Sequence, residues 1–511
     1  MNHSEDNKRI AKNTLLLYLR MMFVILISLY TSRVVLNTLG VEDFGVYNVV
    51  GGVVAMLAFL NNSLGAATSR FITFSLGKGD FSDLKKTFAN ILAIHIFLAL
   101  IVLILAETLG LWFLNNYINV PLSREYAAFW VFQFSVLTSA ISLISVPYNA
   151  TIIAHERMSA FAYISILDIT LKLLIAFLIQ IVNFDRLIFY ASLICFAQVL
   201  IQFIYFLYCR KNFKETLSFP RIDAVQSKSI LSFAGWTMNG NLAVMGYTRG
   251  LNILLNMFFG PVVNAARGIA VQVQTVLQNF CVNFQMALNP QLTKSYAQQN
   301  FEHMHQLLVT SSKFSFFLLL FVALPTCIEA PLVLYWWLGL VPDYTVIFLR
   351  LILAFSLLNA LANPIIVSVH ATGNLKKFQL IEGTMLLCIV PIAYIGLKFF
   401  HFPPEYVFIT HIIVEIITQY VRLRIVLPMI QMKMSVYVKN VFLPIMKVFV
   451  CMPILPIVVY GLLEENVVSF FIVCFTSVIS SVIVVYFLGC TLPEKQFVVS
   501  KCNQLFNRFR R

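Results

Sequence analysis

The sequence predicts an all-α membrane protein of about fourteen transmembrane helices, built as two pseudo-symmetric six-helix lobes followed by a C-terminal helix pair. Three observations predict it. Of the 511 residues, 60% are hydrophobic and only 11% charged, whereas a soluble chain is about half apolar and about a quarter charged. Apolar runs long enough to cross a bilayer as helices recur throughout the chain. The pattern of the first six runs returns in the next six.

The polar start, Met1 to Lys12, precedes an apolar run too long for a signal-peptide core and without a small-residue cleavage site, so the run is kept as span 1, over 13–38. Spans 2–6 are expected over 45–75, 86–113, 125–153, 160–182 and 187–209. Turn signals separate them at Gly40–Gly45, Gly77–Asp80, Asn115–Pro121, His155–Arg157 and Asn183–Arg186. Spans 7–12 follow over 228–257, 262–289, 306–330, 344–369, 377–398 and 405–427, with turns at Gly260–Pro261, Gly339–Asp343, Thr372–Asn374 and Pro403–Pro404. Spans 13 and 14, over 441–462 and 467–488, meet at Glu464–Asn466. The expected domains are therefore an N-terminal lobe (1–210), a C-terminal lobe (211–428), and a helix pair with a basic cytoplasmic tail (429–511). The connections are too short for an appended ATPase, kinase or binding domain.

A shift of 220 lays Gly40 on Gly260, Ala67 on Ala287, Ser69 on Asn289, Ser75 on Ser295 and Phe81 on Phe301. A shift of 217 lays Pro147 on Pro364, Ala154 on Ala371, Phe161 on Phe378 and Ile164 on Ile381. Generic Leu/Ile matching would not align glycines, prolines and loop positions. Because each repeat holds an even number of spans, the lobes are parallel, and a substrate site is expected between them.

The net charge of +14 is distributed by side. With the N-terminus inside, Lys8, Arg9, Lys12, Lys78, Lys85, Lys86, Arg210, Lys211, Lys214, Arg221, Lys376, Lys377, Arg422, Arg424, Arg508, Arg510 and Arg511 fall on the cytoplasmic side. The outer segments carry Arg124, Arg186 and Lys398 against the acids Glu42, Asp43, Glu125, Asp185, Asp343, Glu405, Glu464 and Glu465. This positive-inside asymmetry supports cytoplasmic termini and accounts for the basic pI without a nucleic-acid partner. The nine cysteines form no C-x-x-C pair and read as small buried hydrophobes, with no disulfide framework. No metal or cofactor is expected. Neither G-x-S-x-G, Walker A nor H-E-x-x-H occurs, so no enzyme site is expected.

Charged groups in hydrocarbon are expensive and each needs a reason. Arg20 and Arg33 lie in span 1, Arg70 in span 2, Arg249 in span 7, Arg267 in span 8 and Arg350 in span 10. One reason is snorkelling to an interface; the other is a cationic cavity, since the guanidinium fork binds phosphate oxygens bidentately. Arg20, Arg70, Arg249 and Arg267 are the candidates for the second role. Asp168 and Lys172 stand four residues apart in span 5, and His411 and Glu415 four apart in span 12. Together with Glu382 in span 11, the candidates for ion coupling are Asp168, Lys172, Glu382 and Glu415. His95 in span 3 reads as a satisfied core histidine. Span 8 carries Gln272, Gln274, Gln278, Asn279, Asn283, Gln285 and Asn289, of which Gln272, Asn279 and Asn283 join Thr275 on one helical stripe. With Asn62 of span 2, that stripe offers the donors and acceptors that sugar hydroxyls require, or else hydrogen-bonds neighbouring helices.

The opening NTLLLYLRMMFVILISLYTSRVVLNTLGVEDFGVYNVVGGVV, residues 13–54, resembles the start of polysaccharide transporters in the MATE-like (MOP) flippase superfamily, with their L-G-x-x-x-[FY]-G-x-Y loop at Leu39, Gly40, Phe44, Gly45 and Tyr47. SLGKGDFSDLKKTF and AHERMSAF, at Ser75–Phe88 and Ala154–Phe161, resemble the cytoplasmic loops of that group after spans 2 and 4. The nearest likeness is to Wzx-type flippases. The resemblance implies a two-lobed bundle working by alternating access. It would move an undecaprenyl-pyrophosphate-linked oligosaccharide across the bacterial cytoplasmic (inner) membrane for O-antigen, capsule or exopolysaccharide assembly, with membrane lipids and other glycan-assembly proteins as partners. Multidrug MATE exporters usually have twelve spans and a coupling carboxylate in span 1, and this span 1 has none. A cation-coupled small-molecule exporter stays open as an alternative, as does a membrane glycan polymerase or ligase, though the short outer loops weigh against the latter.

Overall fold

A computed structural model describes residues 3–55, 59–117, 121–182, 184–339, 341–464 and 466–496. The side chains of Lys8, Arg9, Lys12, Glu42 and Asn62 lie outside the described residues, as do Glu465, Cys502, Arg508, Arg510 and Arg511. The described residues form helices and their connections, with no strand among them. Ten helical stretches among them are long and apolar enough to cross a membrane. Helices suit that setting because they satisfy every backbone polar group internally.

The helices fall into two compact units. The first holds α1 (His3–Ala55), α2 (Phe59–Lys78), α3 (Phe81–Leu105), α4 (Leu111–Tyr117), α5 (Glu125–Ala154), α6 (Met158–Leu178), α7 (Arg186–Asn212) and both ends of α8 (Ala224–Ala297). In it α5 packs on α1, α2, α3 and α7, and α6 lies along α1. The Asp80, Asp185 and Asp223 side chains cap α3, α7 and α8, each accepting from backbone N–H groups that the first turn leaves unpaired. Arg124 ties the loops of this unit, donating to Asp43 and, at 2.8 Å, to Asp185.

The second unit holds the middle of α8 (242–285), α9 (Phe301–Ile328), α10 (Ala330–Leu338), α11 (Thr345–Thr372), α12 (Lys376–Leu387), α13 (Ile389–Phe399), α14 (Tyr406–Met429), and the C-terminal helices α15 (Met434–Tyr437), α16 (Leu443–Cys451), α17 (Ile454–Leu462) and α18 (Val467–Val484). Its core joins Leu251, Leu255, Phe348, Leu349, Ile389 and Val407, all at most 1% exposed.

The expected turns at Gly40 and Gly260 are single-residue kinks at which two helices join, within α1 and within α8. Gly40 (φ 80°, ψ 168°) breaks α1 and Gly260 (φ 81°, ψ −176°) breaks α8. The two repeats thus adopt one backbone conformation at equivalent positions, and it is one that essentially only glycine tolerates. Pro147 and Pro364 likewise both sit inside helices, α5 and α11. A Cβ at Gly260 would touch nothing within 4 Å, and neither would one at Gly235, which lies in regular helix. Gly260→Ala should therefore cost about 1–3 kcal/mol through backbone strain alone. Gly235→Ala should be neutral or stabilise by up to about 1 kcal/mol. Thermal unfolding of the two variants in detergent checks this, and equal midpoints would refute the strain argument.

The C-terminal helices pack on α9. Tyr437 Oη donates to Ser312 Oγ at 3.3 Å. Lys313, fully buried, reaches Glu494 Oε2 at 2.9 Å and the Gly489 carbonyl at 3.3 Å. That carbonyl ends a π-turn, Val485–Gly489. A side chain at Gly489 would collide with Phe317, since its Cβ would lie 2.9 Å from the ring. Glycine there lets the end of the last helix close onto α9.

Candidate functional site

In the first unit the two candidate arginines lie against aromatic rings. The Arg20 guanidinium sits 4.5 Å from the Phe161 ring centroid, and its buried Nε has no hydrogen-bond partner. Arg70 lies 4.5 Å from both Phe71 and Phe74 and 5.8 Å from Phe233. Ring faces stabilise a cation while leaving guanidinium N–H groups for an anion. Arg33 is exposed. Asp168 accepts from Lys172 Nζ at 2.8 Å. His95 shares a hydrogen bond with Thr68 across α3 and α2, at 2.9 Å.

In the second unit Arg249 is exposed, whereas Arg267 is buried and braces the kink of α8. Arg267 donates to Asn252 Oδ1 and, at 3.4 Å, to the Thr248 carbonyl, both on the helix before Gly260. Arg350 is held by the Cys327 carbonyl at 3.0 Å. The glutamates converge on one base. Arg422 Nε donates to Glu382 at 2.6 Å, while its Nη1 donates to Glu415 and, at 3.1 Å, to Gln419. Arg422, counted by its sequence position among the cytoplasmic-side charges, is thus a buried group. It lies 4% exposed within α14, where two buried carboxylates require a cation. His411, four residues from Glu415, packs instead between the Phe355 and Tyr247 rings, with centroids at 3.8 and 4.9 Å.

The amide stripe divides along its length. Gln272 and Thr275 are exposed, Asn279 is half-buried, and Asn283 is buried and donates to the Asn279 carbonyl at 2.7 Å. Other amides of the helix bond between helices: Gln274 to Ser356 at 2.8 Å, and Gln285 to Ser315 and Asn363 at 2.9 and 2.6 Å.

No family model matches the chain, and no curated protein matches it in sequence. Solved structures do match. One is a mutant of a MATE protein (TM-score 0.71, 16% identity, covering 84% of this chain and 97% of that one). A second is an outward-facing multidrug resistance MATE family transporter of the MOP superfamily (0.67, 16%, 84% and 97%). A third is a MOP superfamily transporter from Pyrococcus furiosus with a binding pocket of reversed polarity (0.68, 16%, 83% and 96%). The chain has the MATE fold. Nearly the whole of each MATE structure is covered, while a sixth of this chain lies outside the match.

The paired groups were partly visible beforehand. Glu415 and Arg422 are two helical turns apart on one face, a readable signal. Glu382 lies 40 residues from Arg422, so its membership in the cluster was not. Lys313 stands inside the expected ninth span beside Ser311 and Ser312, and a cation that deep in an apolar run is itself a signal.

Proposed function

We infer that the chain is a membrane transporter working by alternating access, and that it flips an undecaprenyl-pyrophosphate-linked oligosaccharide across the bacterial cytoplasmic membrane. The carrying observation is an imbalance of intramembrane charge. The candidate coupling acids are each matched with a base: Asp168 with Lys172, and Glu382 and Glu415 with Arg422. Arg20 and Arg249 make no ion pair among the described residues. An anionic substrate supplies the missing charge. Arg20 and Arg70 in the first unit and Arg249 in the second are the candidate ligands, each taken within its own unit. Arg267 contributes mainly by holding α8 in shape, and the exposed Gln272 and Thr275 face glycan hydroxyls. For the neighbour from Pyrococcus furiosus, reversed pocket polarity was itself taken to suggest a different function. The basic side of the chain is assigned to the cytoplasm by the positive-inside rule.

The multidrug transporter among the neighbours keeps a small-molecule exporter as the second reading. In that reading an ion pair has to open to provide a coupling carboxylate.

A deletion strain tests the assignment. Lipid-linked glycan should accumulate on the cytoplasmic face and clear when the chain is restored. Export of dyes with no accumulated glycan would favour the second reading, and accumulation of single repeat units on the outer face would indicate a polymerase or ligase. In the restored strain, Arg249→Ala should lower flipping by roughly tenfold to a hundredfold, the worth of a charge-assisted hydrogen bond. Arg249→Lys should recover part of it if charge outweighs the bidentate fork. Full activity in Arg249→Ala would remove Arg249 from the site.

A further inference from the structure

The stretch α8 is two helices that meet at the Gly260 kink. Its middle, 242–285, belongs to the second unit, while its two ends pack in the first. Beside the buried Ile230, Phe233, Leu288 and Leu292, those ends carry a polar network. At the C-terminal end, Lys294 Nζ donates to Glu156 Oε1 at 2.8 Å and Gln291 Nε2 donates to Glu156 Oε2 at 3.1 Å. Glu156 lies in the short loop between α5 and α6, its side chain 3% exposed and its backbone in the left-handed region at φ 58°. Its carbonyl accepts from Asn13 of α1 at 3.3 Å. The adjacent His155 is fixed separately, bonded to Glu215 at 2.6 Å and stacked on Phe213. At the N-terminal end of α8, Asn90 of α3 accepts from Ser227 Oγ at 2.7 Å and from the Asp223 N–H at 3.2 Å. Gln226 donates to Thr87 at 2.6 Å, and Asn241 donates to Ser63 at 3.0 Å. Gly77 at the end of α2 permits the close approach, since a Cβ there would lie 2.9 Å from the Ala297 Cβ.

The geometry points to a latch, with Glu156 as its bolt, that holds the ends of α8 on the first unit and must release for the transporter to change access state. Three features distinguish a latch from ordinary packing. One buried loop residue ties two elements, its carboxylate accepting from Lys294 and Gln291 of α8 and its carbonyl from Asn13 of α1. That carboxylate sits on a backbone conformation few non-glycine residues adopt, which persists only while its surroundings enforce it. Beside the buried Phe233, Leu288 and Leu292, the polar contacts lie near helix ends, where water can replace them. The latch rests on the transport reading for its purpose but not for its test.

The test uses the full-length chain in detergent with Ser295→Cys, a small side chain 3% exposed at the docked end of α8. Its modification by a water-soluble maleimide is followed by peptide mass spectrometry. Labelling should be slow in this background. Glu156→Gln and Lys294→Met should each speed it by about tenfold, the loss of one charge-assisted hydrogen bond. The exchanged pair, Glu156→Lys with Lys294→Glu, should return labelling toward the slow rate, which a merely misfolded loop would not do. Unchanged labelling in both single variants, or a swap as fast as either, overturns the latch. Labelling as expected in a chain that fails the glycan-accumulation test leaves the latch standing and removes the flippase reading.

Discussion

Glu494→Ala should destabilise the protein by about 3 kcal/mol, near the lower end of what breaking a buried ion pair costs. The reason is asymmetric exposure. Lys313 has no accessible side-chain surface, whereas Glu494 is 23% exposed. Removing the carboxylate leaves an ammonium enclosed in α9 with the Gly489 carbonyl as its remaining bonded partner, at 3.3 Å. Water that replaces the lost oxygen recovers part of the cost, which is why the lower end applies. Lys313→Met together with Glu494→Leu should restore the unfolding midpoint, because a pair replaced by apolar groups of similar size is often neutral or stabilising. A single variant that unfolds with the parent, or a double variant no better than the single, would show that the pair does not hold the C-terminal helices.

The second large effect falls on Arg422. Arg422→Met leaves Glu382 and Glu415, 8% and 2% exposed, facing each other without a cation, and should cost about 3–5 kcal/mol. Adding Glu382→Gln and Glu415→Gln should recover most of it. The same operation on Lys172 is a built-in comparison. That pair, 38% and 29% exposed, is less enclosed, so Lys172→Met should cost less than Arg422→Met. Thermal unfolding in one detergent, with all variants side by side, reads both numbers. If Arg422→Met and Lys172→Met prove equal, burial is not what sets the difference.

The parts of the fold that showed in the sequence are those written in local chemistry. Gly40 and Gly260 announce the repeat because a special backbone angle leaves a glycine behind it wherever it occurs. Pro147 and Pro364 mark corresponding helices for a similar reason. The site was harder to see. The intramembrane arginines were visible as charges, but whether each is paired depends on residues far away in the chain. Arg20 finds Phe161, and Lys313 finds a glutamate 181 positions later. Nothing periodic records such pairings. The amides of α8 had the right chemistry for two roles, and the fold assigns interhelical bonding to Gln274 and Gln285 while leaving Gln272 exposed.

The Lys313–Glu494 pair also sets an order of events during biosynthesis. At about 5–20 residues per second, the 181 residues between the two take roughly 9–36 s to translate. For that interval α9 carries an uncompensated ammonium, and the helices that will cover it do not yet exist. The ninth helix is therefore less favourable as an independent lipid-facing segment when it leaves the ribosome. Its ammonium stays unpaired until the residues around Glu494 arrive. Pairing of α9 is accordingly a late step, which waits on the helix that brings Glu494.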